Sequence, residues 1–143
     1  YDACINRKTE NIAQRLDELC PNGIDVFFDL VGGEILHLAS ERLAIGARVI
    51  LCGLMAEYNK DTRSAGPPPG NWIKARAIVY GLVVYDFETR RDEFISECLP
   101  YVLDGRLKMP QDKTVGLETA PAAFCKLMRG ENVGKAVVEV TAR

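Results

Sequence analysis

The stretch GIDVFFDLVGGE, Gly23 to Glu34, decides the fold. From Ile24 to Leu30 it is apolar on both faces through Val26, Phe27 and Phe28, the pattern of a central strand in a parallel sheet. The run stops at Val31 and the pair Gly32-Gly33, and a helix-like sequence follows. Glycine at a strand end lets the backbone approach a ligand and tolerates positive φ. An ordinary strand-to-helix turn asks for the same residue, so the pair alone does not choose between the two. Asp29 has three readings: cap of the next helix, partner of a ligand hydroxyl, or anchor of the turn. Capping is favoured.

Upstream, Asp2 to Asn6 reads as a short strand. Thr9-Glu10 then caps a helix with Ile12, Leu16 and Leu19 at helical spacing, broken by Pro21-Asn22-Gly23. Downstream, Glu34 to Leu43 carries Ile35, Leu38, Ala39 and Leu43 on one face. Gly46 closes that helix, and Ala47 to Cys52 is a strand ending at Gly53. The order β-α-β-α-β with short connections predicts an α/β fold built on a doubly wound parallel sheet. A polar loop from Tyr58 to Gly70 follows, stiffened by Pro67-Pro68-Pro69. Residues 71–77 read as a short helix and 79–87 as a strand. Thr89 caps a long helix with Asp92, Phe94, Cys98, Tyr101 and Val102, stopped by Gly105. An extended piece to Val115, a helix from Thr119-Ala120-Pro121 to Gly130, and a strand from Lys135 to Val140 complete the pattern.

The totals narrow the function. A chain of 143 residues is long enough to bury about two-thirds of its unfolded surface. Eighteen basic and twenty acidic residues are well mixed and leave a net charge of −2, which argues against nucleic acid or an anionic membrane as a partner. No apolar run approaches the ~18 residues of a membrane span, and no signal-peptide pattern opens the chain. Cys4, Cys20, Cys52, Cys98 and Cys125 are odd in number and widely spaced. A reducing, cytoplasmic location is therefore expected rather than a disulfide framework. His37 is the single histidine, on a predicted helix face; neither a metal site nor a histidine-based nucleophile relay is expected. The phosphate fingerprint G-x-G-x-x-G is absent. Tyr58 lies just past a strand's carboxyl end, where ligands of parallel sheets bind, although surface packing explains a lone loop tyrosine equally well.

In combination, DVFFDLVGGE, CGLMAEYN, GPPP and PAAFCKLMRGENVGKAVVEV resemble the zinc-independent medium-chain dehydrogenase/reductase superfamily. The similarity is to its branch of prostaglandin reductases, leukotriene hydroxydehydrogenases and alkenal double-bond reductases, and it runs over essentially the whole chain. The resemblance implies an oxidoreductase that uses NADP (as NADPH) to reduce the carbon–carbon double bond of an enone or alkenal, without metal. It implies cofactor contacts from Cys52, Gly53, Leu54, Met55, Ala56, Glu57 and Tyr58 around the nicotinamide. Leu82, Val83 and Val84 match a second contact, and Asn132 a residue near the nicotinamide. Arg7 stands where the family has a tyrosine at the 2′-phosphate; a guanidinium suits that anion. Tyr58 is the expected catalytic residue, orienting ribose and substrate carbonyl. Leu30 replaces a family asparagine that contacts the cofactor, and leucine cannot make that hydrogen bond.

The same resemblance implies a parent more than twice this length, so the chain is expected to be its C-terminal part. Residues 1–108 are then the C-terminal part of the NADP-binding Rossmann domain. Residues 109–143 are a segment returning to the GroES-like catalytic domain. In strand order 3-2-1-4-5-6, two strands that belong between Asp2–Asn6 and Ile24–Leu30 are missing. The strand 24–30 is thus expected to expose an apolar edge, and the strand 79–87 to pair with a second copy as a homo-oligomer. Taken alone, the chain is not expected to be a competent reductase. Two rivals remain: a non-catalytic half-domain that acts only in association, and a methyltransferase core binding S-adenosylmethionine. The latter would also need a glycine-rich first loop.

Overall fold

The computed structural model describes residues 1–140, which form two compact units, Tyr1–Phe87 and a second from Glu88 onward. In the first unit, helix α1 (Ile12–Leu19) and strand β1 (Ile24–Asp29) are followed by helix α2 (Gly33–Ser40) and strand β2 (Leu43–Leu51). Helix α3 (Pro69–Ala75) and strand β3 (Ile78–Gly81) complete it. The strands make a three-stranded sheet in the order β1-β2-β3, parallel throughout. This is a partial Rossmann-type sheet, in which helices and parallel strands alternate as the sequence reads from α1 onward.

Local chemistry adjusts several boundaries. Asn11, not Thr9, caps α1: its side-chain oxygen accepts from the Gln14 N–H at 3.1 Å. No strand forms over residues 2–6. A strand needs a ladder partner for its backbone groups, and no strand of the described sheet runs beside this segment. It ends instead in a turn, with Thr9 and Glu10 N–H groups donating to the Asn6 carbonyl at 3.0 and 2.9 Å. Helix α2 stops at Ser40, because β1 recruits the chain earlier: the Ile24 N–H donates to the Arg42 carbonyl at 2.8 Å. Gly46 therefore closes no helix. It lies inside β2 with φ +79°, between the pairings Ile24↔Leu43 and Val26↔Arg48, where the register shifts.

The expected strand over 79–87 is much shorter. Only Ile78–Gly81 joins the sheet, and residues 84–90 wind into a 3₁₀ turn, with the Asp86 N–H on the Val83 carbonyl at 3.1 Å. The alternating Leu82, Val84 and Asp86 thus present no ladder, and the edge that a second copy of a homo-oligomer could pair with is limited to Ile78–Gly81 rather than 79–87.

The core of the first unit is Ile24, Leu36, Ala39, Ala47, Val49, Ile50 and Ala75. Helix α3 packs on β2, α2 on β1, and α1 on α2. Register places Phe27, Val49 and Val79 on one face, with Val49 fully buried. On the other face Val26, Phe28, Ile78 and Tyr80 are 52, 53, 62 and 45% exposed. Strand β1 is thus an edge of the described sheet with one open apolar face, although its sequence reads as a central strand.

The second unit contains helix α4 (Arg91–Leu103), strand β4 (Gln111–Val115), helix α5 (Ala120–Met128) and strand β5 (Lys135–Glu139). Strands β4 and β5 pair in parallel. Thr89 does not cap α4, because it lies inside the preceding 3₁₀ turn; Arg90 is the cap residue and makes no side-chain capping bond. Gly105, at φ +77°, does end that helix. Pro121 occupies the first turn of α5, where its missing N–H costs nothing. The division expected at 108/109 assigns segments to the domains of a longer relative, a different boundary from the one between these compact units.

Candidate functional site

The carboxyl ends of β1 and β2 lie side by side, and their outgoing segments are stitched together. Cys52 and Gly53 donate N–H to the Asp29 carbonyl at 2.8 and 3.1 Å. Met55 donates to the Leu30 carbonyl at 3.2 Å and Ala56 to that of Val31 at 2.9 Å. This close approach is what the glycines permit. Gly32 has φ +70° and ψ −155°, a region essentially reserved for glycine. A Cβ there would meet Leu54 Cδ2 at 2.7 Å, and one on Gly53 would meet the Leu30 carbonyl oxygen at 2.9 Å.

Asp29 proves to be the anchor of the turn. It is 2% exposed, and its carboxylate accepts the Val31 N–H at 2.8 Å and the Gly32 N–H at 3.0 Å on both oxygens. These charge-assisted bonds hold the strand-to-helix turn open at the sheet edge. The cap residue of α2 is Gly32, which has no side chain to cap with.

Beside this turn lies a cleft of about 230 Å³, lined by Arg7, Ile12, Val31, Gly32, Glu34, Ile35, Ala56 and Lys60. The cleft joins residues far apart in sequence: the Arg7 segment, the start of α2 and the turn Met55–Glu57. Tyr58 follows that turn and is 66% exposed. Leu82 is tied to the same end of the sheet by its N–H on the Leu51 carbonyl at 2.9 Å, and Val83 and Val84 beyond it are exposed. The first unit thus brings Arg7, the segment 52–58 and Leu82 to Val84 to the carboxyl end of one parallel sheet, where such sheets bind ligands. Asn132 belongs to the second unit, and its side-chain amide donates to the Gly134 carbonyl at 2.8 Å.

Sequence reasoning missed the polar cluster behind Tyr58. The Glu57 carboxylate accepts from the Ser64 N–H at 2.7 Å and from Lys60 Nζ at 3.1 Å. The Ser64 N–H, and then the Lys60 ammonium, hold the Glu57 carboxyl below the usual carboxylate range. The spacing E-x-x-K was the only signal available, and it says nothing of Ser64. His37 takes its ordinary role, pairing with Glu41 one helical turn away at 3.3 Å. Among the described residues, no group of three or more His, Cys, Asp or Glu side chains is placed to hold a metal ion.

The family described as zinc-binding dehydrogenase matches residues 1–138. The chain is 34% identical to prostaglandin reductase 1 of Bos taurus over 97% of its own length and 43% of that protein. It is 31% identical to the NADPH-dependent curcumin reductase of Escherichia coli (strain K12), over 98% of its length and 42% of the relative. The crystal structure of CurA from Vibrio vulnificus in complex with NADPH is similar across 100% of the chain and 44% of its own, with a TM-score of 0.86 and 32% identity. The chain therefore spans less than half the length of these relatives.

Proposed function

The chain belongs to the zinc-binding dehydrogenase family, and on that premise we propose that the full-length protein is an NADPH-dependent oxidoreductase reducing the carbon–carbon double bond of α,β-unsaturated aldehydes or ketones, without zinc. One observation carries the reading. Arg7, the backbone of 52–58 and Leu82–Val84, matched by resemblance alone, gather at the carboxyl end of a parallel sheet, beside a cleft of about 230 Å³. The relatives, a prostaglandin reductase and an NADPH-dependent curcumin reductase, supply the direction of the chemistry.

The residues present suit such a cofactor. Arg7 is exposed on the cleft wall, and its guanidinium can grip a 2′-phosphate in bidentate fashion. The glycine-cleared turn brings backbone of 52–56 within reach of a ribose. The Tyr58 phenol, open to solvent, can donate to the ribose or to a substrate carbonyl as negative charge develops on that oxygen. When bound, NADPH supplies the hydride. A cytoplasmic setting accords with five free cysteines, and no described helix is long and apolar enough to cross a membrane. The association-only reading gains nothing from a strand that ends at Gly81.

The test compares NADPH with NADH in the full-length protein, using a series of enones, with and without Arg7→Ala. The expected result is a kcat/KM preference for NADPH that Arg7→Ala reduces about tenfold or more, the worth of a charged hydrogen bond. Oxidation of neither cofactor by any enone would overturn the activity. Equal use of both cofactors by the unmutated protein would remove Arg7 from the phosphate.

A further inference from the structure

Between the turn Met55–Glu57 and Pro67 the chain makes a polar excursion, YNKDTRSAG, that forms neither helix nor strand. Glu57 stands at its root. The Glu57 side chain is only 11% exposed, whereas its neighbour Tyr58 is 66% exposed. One Glu57 oxygen takes the Ser64 N–H and the other takes the Lys60 ammonium. Lys60 also donates to the Ser64 hydroxyl at 2.5 Å. Residues 57 and 64 are thereby tied together, and Tyr58 lies within the closed loop.

The root itself is fixed. The Met55 and Ala56 N–H groups are bound to the carbonyls of Leu30 and Val31. A Cβ on Gly33 would crowd Ala56 Cβ at 3.2 Å and lie in ordinary contact with Glu57 Oε1 at 3.5 Å, so the second glycine of the pair eases the approach of Ala56 at the root. Beyond the root, the loop residues Asn59 to Ser64 are exposed and contribute no apolar anchor. Closing a loop costs chain entropy, so a loop of this kind holds one geometry only if a specific bond supplies the difference. Charge-assisted bonds to a carboxylate are the strong ones.

We propose that Glu57 is a positioning residue, whose carboxylate closes residues 58–64 into one geometry and so sets where the Tyr58 phenol projects at the sheet edge. The proposal rests on the reading of Tyr58 given above. Both oxygens of Glu57 are engaged within the chain, so its part is to hold the loop rather than to touch cofactor. The same tie holds Lys60, which lines the cleft together with Arg7.

The experiment uses the full-length protein with Glu57→Ala, Glu57→Gln, Tyr58→Phe and the double variant Glu57→Ala/Tyr58→Phe. Hydrogen exchange over 58–64, kcat, KM for NADPH and the melting temperature are measured for each. In Glu57→Ala, exchange over 58–64 is expected to quicken and kcat to fall about fivefold, the scale of one hydrogen bond, with little change in melting. Glu57→Gln recovers part of the loss, because its amide oxygen still accepts from Ser64. The double variant is no slower than Tyr58→Phe alone. Unchanged exchange in Glu57→Ala overturns the proposal, as do losses in kcat that multiply in the double variant. If Glu57→Ala fails to fold, Glu57→Gln carries the same comparison. A kinetically silent Tyr58→Phe overturns the role of Tyr58, and the positioning role with it; that failure is recognised from the single Tyr58 variant alone.

Discussion

The two compact units reach opposite degrees of burial. In the first, Val49 has no exposed surface, and Asp29, Ser40, Ala39 and Ala47 are at most 2% exposed. In the second, no described residue is buried: Phe94, Leu103, Leu117, Phe124 and Val133 are all more than 60% exposed. The difference follows from architecture. Three parallel strands with helices packed on them enclose a core, whereas a pair of strands is marginal by itself. Parallel strands in particular are normally covered on both faces. The first unit can therefore hold a buried carboxylate and build a turn on it; in the second, ion pairs and loops at the surface do the ordering.

This contrast is open to direct attack by substitution in the full-length protein, read from urea midpoints. The largest effect is expected at Asp29. Asp29→Ala strands the buried Gly32 N–H and the part-buried Val31 N–H, and should cost about 3 kcal/mol, the upper range for a charged hydrogen-bond acceptor. It should also weaken NADPH binding, because the turn at the cleft loses its anchor. A stability loss below about 1 kcal/mol would mean that water replaces the carboxylate and that the first core is looser than its burial implies.

Val49→Ala comes next. It leaves a void at the centre of the sheet and should cost about 2 kcal/mol. Its counterpart in the second unit is Leu103→Ala, at a residue 78% exposed, with an expected change within about 0.5 kcal/mol. Equal losses at the two positions would break the comparison, since Leu103 would then be covered in the full-length protein.

The smallest effect concerns pH. In the second unit Asp112 accepts from Lys126 Nζ at 2.6 Å and from the Val133 N–H at 3.1 Å. The Lys126 ammonium, and then the Val133 N–H, hold its carboxyl below the usual range. A depressed carboxyl contributes stability that is full above its unfolded value, about 3.9, and is lost as pH falls through the lower folded value. Protection of the Val133 N–H from exchange should therefore be flat between about pH 5 and 8 and fall only in stronger acid. Asp112→Asn should remove that acid step; loss of protection near neutrality in the unmodified protein would assign the control to another group.

How far these features could be read in advance depends on how local their causes are. The helix near Ile12, the stop at Gly105 and the two strands that end before Gly32 and Gly53 follow from spacing, glycine and proline, which act within a few residues. Glycine at 32 and 33 was legible as a special turn, but its cause was not. Gly32 stands at φ +70° and ψ −155°, which by itself bars a side chain, and a Cβ there would also press on the tip of Leu54 at 2.7 Å; no pattern near residue 32 reports either. Asp29 was legible as a polar residue needing a partner; that it anchors the turn depended on the φ and ψ of the residues after it. Glu57 entered as one of seven consecutive cofactor contacts, because a motif match carries no direction for a side chain.

The sequence by itself determined the α/β class, the parallel order of the strands read at 24–30 and 47–52, and the family, since all three rest on periodicity or on residues in linear order. Tertiary structure decided where pairing stops and what each polar group binds. The strand read over 79–87 ends at Gly81, because a residue of strand character stays in a strand only while a neighbour offers it a ladder. The segment 2–6 forms none for the same reason. The cleft beside Arg7 and the bonds from the Met55 and Ala56 N–H groups to the Leu30 and Val31 carbonyls likewise exist only after segments from distant parts of the chain have met. Their energies come from contacts between those segments, and no single stretch of sequence contains both sides of such a contact.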